Sequence, residues 1–592
     1  MGQFFKFLFA SCLGVLLAIA AIIFIGGAVF SSFASRMNKA PSIKPNTVLH
    51  LSLNNALPEL SNNISVSPLA GFEDLEAIGL QAMVDAIERA KEDDNIKGIF
   101  LEPSWSFSSG FSTAKSIRDA IEDFKDSGKF VVAHSGYYSQ GQYYIASVAD
   151  EIYANPMGYF FAQGFAVTGE FYKDLIDKLG VKVQVFYVGT FKGATEPYRR
   201  TNFSPENKLQ LRQMINDYYD VFLDDVSRTR GLEKSTLKKA VDSYINSPEL
   251  AMENGMIDKI DYRTSVIDRL KERAGLDKDD KLPMMSIESY NKSNPAKSNY
   301  KAKDRVAVVY AEGIIMDGKW SNGTVTDQQY VKDINKLAED DRVKAIVLRV
   351  NSPGGSALAS ENIWNALQNV KANDKPLIVS MGDYAASGGY YIACPADSIF
   401  AEPNTLTGSI GIFSIVPAVG PAFDKSLGID YDSVKTGPLA YDVTMPIFEM
   451  EPRVAEKWQR DTEEGYRTFL SRVADGRGMT PEEVDKVAQG RVWTGSTATE
   501  LGLVDKVGNL DRAIASAVSM AEIDDYRVVS YPKVKDPVQQ LIDEILNPTG
   551  MSRAVSKLEK DFPLLAPYYS AMMEIQKAKG PQAKMLIDVP FN

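Results

Sequence analysis

Two rhythms alternate along this chain. Short β-branched apolar runs are followed by longer stretches with apolar residues at helical spacing. In the second half, strands are expected over 305–310, 344–350, 376–381, 398–401 and 430–435. Between them, Gln328–Ala338 and Ser356–Lys371 carry an apolar stripe suited to helices. Strand–helix alternation of this kind specifies an α/β fold, with helices covering a mostly parallel sheet.

The same pattern occurs twice. Asp93–Leu101 aligns with Asp340–Leu348 with five identities in nine, and Tyr143–Pro156 with Tyr390–Pro403 with nine in fourteen. Ala251, Gly255, Asp258 and Lys259 recur as Ala498, Gly502, Asp505 and Lys506, again 247 positions later. A register held over that distance marks an internal duplication of a roughly 240-residue unit. The expected domains are an amino-terminal anchor and connector (1–46), a first unit (47–274), a polar linker (275–304), a second unit (305–535) and a carboxy-terminal tail (536–592). The tail carries two helical patterns, near Val538–Leu546 and Met551–Lys560, separated by Asn547-Pro548.

Composition narrows the function classes. The 592 residues are 45% apolar and 24% charged, which is ordinary globular protein and too long for one core. A net charge of −12 with no basic block argues against nucleic acid. Two cysteines (Cys12 and Cys394) build no disulfide framework, and two histidines (His50 and His134) are too few for a typical zinc site. No metal or cofactor is expected. At the amino terminus, Phe7–Ser35 is 29 residues without a charge, long enough to cross a bilayer. A cleaved export signal is the other reading, since Phe33-Ala34-Ser35 offers small residues; the length favours an uncleaved anchor. Lys6 precedes the span while Arg36, Lys39 and Lys44 follow it, so local charge does not favour an exported body, although large domains translocate largely regardless of charge.

Candidate chemistry emerges from what each copy has lost. Ser409, in Thr407-Gly-Ser-Ile-Gly411, sits where glycines permit a sharp turn that exposes a hydroxyl; its image in the first unit is Ala162. The strand-to-helix turn Asn351-Ser-Pro-Gly-Gly355 can aim bare N–H groups at an oxyanion, and its image, Ser104–Ser108, has no glycine pair. The asymmetry reverses at Lys192, in Gly189-Thr-Phe-Lys192, whose counterpart is Pro438 or Leu439. Serine needs a base to attack at neutral pH, and a lysine desolvated by apolar neighbours can serve. Histidine could act only through His50 or His134, and His134 falls in an expected buried strand as a satisfied core residue.

The duplication, Ser352-Pro-Gly-Gly355, Ala385-Ala-Ser-Gly-Gly-Tyr-Tyr391, Thr407–Gly411 and Gly189–Lys192 together resemble the signal peptide peptidase A family of S49 peptidases, in its long double-unit form. The resemblance extends from the anchor to about residue 530. It implies a ClpP/crotonase-like fold in each unit and a membrane-tethered homotetramer on the extracytoplasmic side of the inner membrane. It also implies a serine–lysine dyad, with Ser409 as nucleophile and Lys192 as general base. Gly355, with Gly354 and the Ser409 backbone, would form the oxyanion hole, and Ser433 or Thr436 would orient the lysine. Signal-peptide remnants and similar apolar peptides would be the substrates.

Three other readings compete. Ser112-Thr-Ala-Lys115, Ser289-Tyr-Asn291 and Lys435-Thr-Gly437 reproduce the short motifs of penicillin-binding proteins, but Ser289 falls in the polar linker and Lys435–Gly437 in an expected strand. A crotonase-like acyl-CoA enzyme would keep the oxyanion glycines, yet such enzymes use carboxylates for acid–base work. A non-enzymatic membrane scaffold would have lost both functions from both copies, whereas one survives in each.

Overall fold

A computed structural model describes residues 40–533 and 582–585, apart from 55–56, 64–76, 105, 108, 297–298, 320–322 and 441–446. The expected anchor at 7–35 and the tail patterns at 538–546 and 551–560 lie outside the described residues. Among the described residues, no helix is long and apolar enough to cross a membrane.

Each unit is built on a mainly parallel sheet. In the first, the order across the sheet is Lys259–Ile260, Glu151–Phe160, Phe130–Tyr138, Ile96–Pro103, Thr47–Leu53, Met284–Ser286, all parallel. In the second it is Val492–Thr494, Leu406–Gly408, Leu377–Ala386, Val343–Ser352, Asp304–Glu312, Tyr526–Tyr531, with Ser398–Ala401 beside Leu377–Ala386. Only Val492–Thr494 runs antiparallel to its neighbour. The central strands are buried on both faces, as near-continuous apolar runs in parallel sheets require. Helices Asp327–Glu339 and Ala357–Ala372 fall where the spacing places them.

Two expectations fail here. Residues 430–435 form no strand, and Lys435–Gly437 therefore lies in no strand either. Their image in the first unit, Lys182–Tyr187, is a strand, and it pairs with Phe413–Ala418 of the second unit. The later copy is left with Val434 wholly exposed and Ile429 at 44% exposure. The 275–304 stretch is also more than a linker. Met284–Ser286 extends the first sheet, and helix Ile287–Ser293 buries Ile287 and Tyr290 against it.

The units are joined by buried polar contacts. Arg349, 3% exposed, donates from its Nε to Glu59 at 2.9 Å and from its two Nη atoms to Glu59, Ser380 and the Met381 carbonyl. Asp383 accepts from the backbone N–H and the hydroxyl of Thr113, at the start of helix Phe111–Lys125, at 2.8 and 2.7 Å. A third sheet is shared as well: Thr324–Thr326, Ile314–Met316, Gly354–Ser356, Gln582–Lys584, Phe413–Ala418 and Lys182–Tyr187.

Candidate active site

Ser409 follows strand Leu406–Gly408 and adopts φ 49°, a left-handed conformation rare for serine. Gly408, at φ 74°, accompanies it; a Cβ there would lie 2.9 Å from the Trp493 ring. Both conformations put the Ser409 hydroxyl where the chain turns away from the sheet edge.

Lys192 comes from the first unit. Its loop is clamped by the second: the Phe191 N–H donates to the Gln489 carbonyl at 2.8 Å. Gln210 of helix Pro205–Arg230 donates to the Phe191 carbonyl and accepts from the Val492 N–H, both at 3.0 Å. Close approach needs Gly490, at φ 75°, because a Cβ there would come within 2.7 Å of the Lys192 backbone nitrogen and its Cβ. The lysine reaches across the interface to three oxygens. Its Nζ lies 2.9 Å from Ser387 Oγ, 2.9 Å from the Ser409 carbonyl and 3.1 Å from Ser409 Oγ. Lys192 and Ser409 are each 2% exposed and Ser387 is wholly buried. Burial alone pushes the Lys192 amine down to about 7, because no carboxylate compensates the lost hydration of the ammonium. A neutral amine has two N–H donors and one lone pair. Donating to Ser387 Oγ and the Ser409 carbonyl leaves the lone pair for the Ser409 hydroxyl proton.

Two family models match this chain. The model for peptidase family S49 matches residues 123–277 and again 369–524, and that for Clp protease matches 297–406. The chain is 37% identical to Protease 4 of Salmonella typhi over 520 residues, which is 86% of this chain and 82% of the relative. It is 33% identical to Protease 4 of Haemophilus influenzae over 588 residues, covering 94% and 93% of the two chains. Serine protease SPPA, chloroplastic, of Arabidopsis thaliana is 32% identical over 480 residues, 80% of this chain and 70% of its own.

The chain belongs to peptidase family S49. It is a serine protease with a duplicated S49 domain and a Clp-protease-like α/β fold. The penicillin-binding motifs have no site in this S49 chain: Ser112 Oγ is buried with no hydrogen-bond partner among the described residues, and Lys115 is paired with Asp119.

The structure brings Lys192 and Ser409 together and rearranges what surrounds them. Ser433 and Thr436 do not orient the lysine. Both are exposed, on a stretch that forms no strand, and Ser387 contacts the lysine instead. Ser387 lies in the Ala385–Tyr391 motif, but as the start of a helix rather than as an isolated hydroxyl, so spacing alone does not distinguish it. Its φ of 57° is the one further signal, and that is visible only in the fold. The expected oxyanion hole also changes. The Ser409 N–H is engaged by the Arg491 carbonyl at 2.7 Å, and the Gly354 N–H by Ser352 Oγ at 3.1 Å. The Ile410 N–H makes no hydrogen bond among the described residues, and Gly355 sits in strand Gly354–Ser356. The histidines are engaged elsewhere: His50 bonds Glu102 at 2.9 Å, and His134 is buried with its Nδ1 3.9 Å from a Glu102 oxygen and neither ring nitrogen hydrogen-bonded among the described residues, so it is not the satisfied core residue expected.

Proposed function

We propose that this protease is a membrane-anchored endopeptidase that uses Ser409 as nucleophile and Lys192 as general base to degrade cleaved signal peptides and similar apolar peptides. The observation that carries the reading is the Lys192 Nζ to Ser409 Oγ distance of 3.1 Å in a buried setting that holds the amine near neutrality. Neutral Lys192 takes the Ser409 proton as Oγ bonds to the peptide carbonyl carbon. The oxyanion is held by the Ile410 N–H with the backbone of Gly355. The lysinium then protonates the leaving amine as the C–N bond breaks. A water, deprotonated by Lys192, attacks the resulting ester, and the serine regains its proton. Ser387 keeps the amine on line throughout.

Residues 7–35 would tether the catalytic body to the inner membrane on its extracytoplasmic side, and four copies, each unit a ClpP/crotonase-like module, would assemble into a homotetramer. Nucleic acid has no part in this reading. The apolar character of the substrate follows from the family resemblance and from the apolar side chains around Leu406 and Val492.

Ser409→Ala and Lys192→Ala should each lower kcat/KM on a signal-peptide substrate by about 10⁴-fold while circular dichroism is unchanged. In the wild type, kcat/KM should rise with pH through about 7 as Lys192 loses its proton. A Lys192→Ala enzyme with near-normal turnover would refute the dyad.

A further inference from the structure

The first unit ties helix Arg263–Arg273 to its sheet with ion pairs that the second unit does not keep. Glu151, at the start of strand Glu151–Phe160, accepts from Arg269 at 2.7 Å, from Arg273 at 2.8 Å and from the Tyr153 hydroxyl at 2.7 Å. At the offset of 247, Glu151 becomes Ser398, Arg269 becomes Ser516, Arg273 becomes Met520 and Tyr153 becomes Phe400. Helix Leu510–Met520 nonetheless matches its counterpart residue for residue. With shorter side chains at these positions, a cleft of about 640 Å³ is lined by that helix and by strands Ser398–Ala401 and Lys506–Val507.

Its wall presents donors without partners. Ser398 is 7% exposed, and its Oγ is buried with no hydrogen bond among the described residues. The side chains of Lys506 and Arg512 form no ion pair among the described residues, and both converge on Phe400. The Lys506 Nζ stands 5.5 Å from the ring centroid. A Cβ on Gly508 would lie 3.3 Å from the same ring and 2.8 Å from Arg512 Cδ. The carboxylates of the wall are already engaged. Asp397 accepts from the Leu377 N–H and pairs with Lys371; Asp505 accepts from the Ile399 N–H and pairs with Arg477. What is left for a ligand is two cations and the hydroxyls of Ser398, Ser516 and Ser519.

We propose that this cleft binds a phosphate monoester. Such a group carries three acceptor oxygens and up to two negative charges, a fuller match to guanidinium, ammonium and hydroxyl donors than the two oxygens of a carboxylate. The volume falls within the roughly 300–1,000 Å³ of small-molecule sites, so an organic body enters with the phosphate. The cleft is separate from the catalytic centre. Ser398 pairs with Ile378 near the start of strand Leu377–Ala386, whereas Gly408, beside Ser409, pairs with Ala386 at its end. The strand from 378 to 386 sets the two places roughly 25 Å apart.

Calorimetry on the full chain in non-ionic detergent tests this with glycerol 3-phosphate and dioctanoyl phosphatidic acid, and with dioctanoyl phosphatidylcholine as control. Saturable binding of glycerol 3-phosphate would identify a soluble ligand, and binding of the phosphatidic acid alone a lipid headgroup. In either case Lys506→Gln and Arg512→Gln should each raise Kd about tenfold, and Ser398→Ala about three- to tenfold. Ser398→Ala breaks no hydrogen bond among the described residues, so its thermal unfolding midpoint should not fall. Ser516→Glu, which sets a carboxylate in the cleft, should abolish binding. No saturable binding of either phosphate probe at millimolar concentration, equal binding of the phosphatidylcholine, or a Kd unchanged by Lys506→Gln and Arg512→Gln would overturn the proposal.

Discussion

The two units show what separates the candidate site from its copy. Ser409 corresponds to Ala162, Ser387 to Gln140 and Ile410 to Gln163, each at the offset of 247. In the second unit, Ser409 and Ser387 both have positive φ, at 49° and 57°, whereas Ala162 and Gln140 are not among the positive-φ residues. Such conformations cost roughly 1–3 kcal/mol each and persist where the surroundings enforce them. The first unit has also satisfied its own polar groups. Gln140 Oε1 accepts from the backbone N–H groups of Gln163 and Gly164, at 3.0 and 2.9 Å. The matching Ile410 N–H has no such partner among the described residues. The first unit therefore lacks more than a hydroxyl: the positive-φ strain is gone, and the backbone donor matching Ile410 is taken.

The same lattice point also carries opposite charges. Glu102 of the first sheet aligns with Arg349 of the second. Glu102 stays near the surface with His50 and Arg263, while Arg349 is sealed between the units on Glu59. One copy of the position serves its own unit, and the other joins the two units that must meet for Lys192 to reach Ser409.

This contrast can be broken at graded cost. Arg349→Leu leaves Glu59 buried and unpaired, and should lower the unfolding free energy by about 3–5 kcal/mol in urea titration, against less than about 1 kcal/mol for Arg263→Leu. Equal losses would mean that the two ion pairs are equivalent. Next, Ser387→Ala should reduce kcat by about 10–100-fold, within the range for one well-placed group. The midpoint of the pH–rate profile should move below 7, because a lost acceptor disfavours the ammonium further. Gln140→Ala should leave both unchanged, and a matching fall there would break the comparison. The smallest effect concerns Glu402, whose image is Asn155. Burial, with Asp119 adding to it, raises the Glu402 carboxyl to about 7. Its folded pKa exceeds the unfolded one, so this contribution to stability is present below about 4.5 and lost as pH rises through about 7. Glu402→Gln should therefore match the wild type in thermal unfolding at pH 4 and exceed it by about 1–2 kcal/mol at pH 8. A gain of equal size at both pH values would assign the effect to packing instead.

Much of this was legible along the chain. The duplication, the strand and helix stripes of the second unit, and the complementary survival of Ser409 and Lys192 are local patterns or comparisons between copies, and a sequence carries both. The strand expected at 430–435 satisfied the local pattern too, yet only its image Lys182–Tyr187 is a paired strand, against Phe413–Ala418 of the other unit, a pairing between units that no local pattern reports. The residue contacting Lys192 was legible only as part of a motif. Ser433, Thr436 and Ser387 are equally hydroxyl-bearing, and burial against a lysine 195 positions earlier chose Ser387. Which N–H stays open for an oxyanion depends on where the Arg491 carbonyl falls. Periodicity reports which face of an element is apolar. What meets that face across hundreds of residues is set by packing, and packing brought Lys192 and Ser409 together.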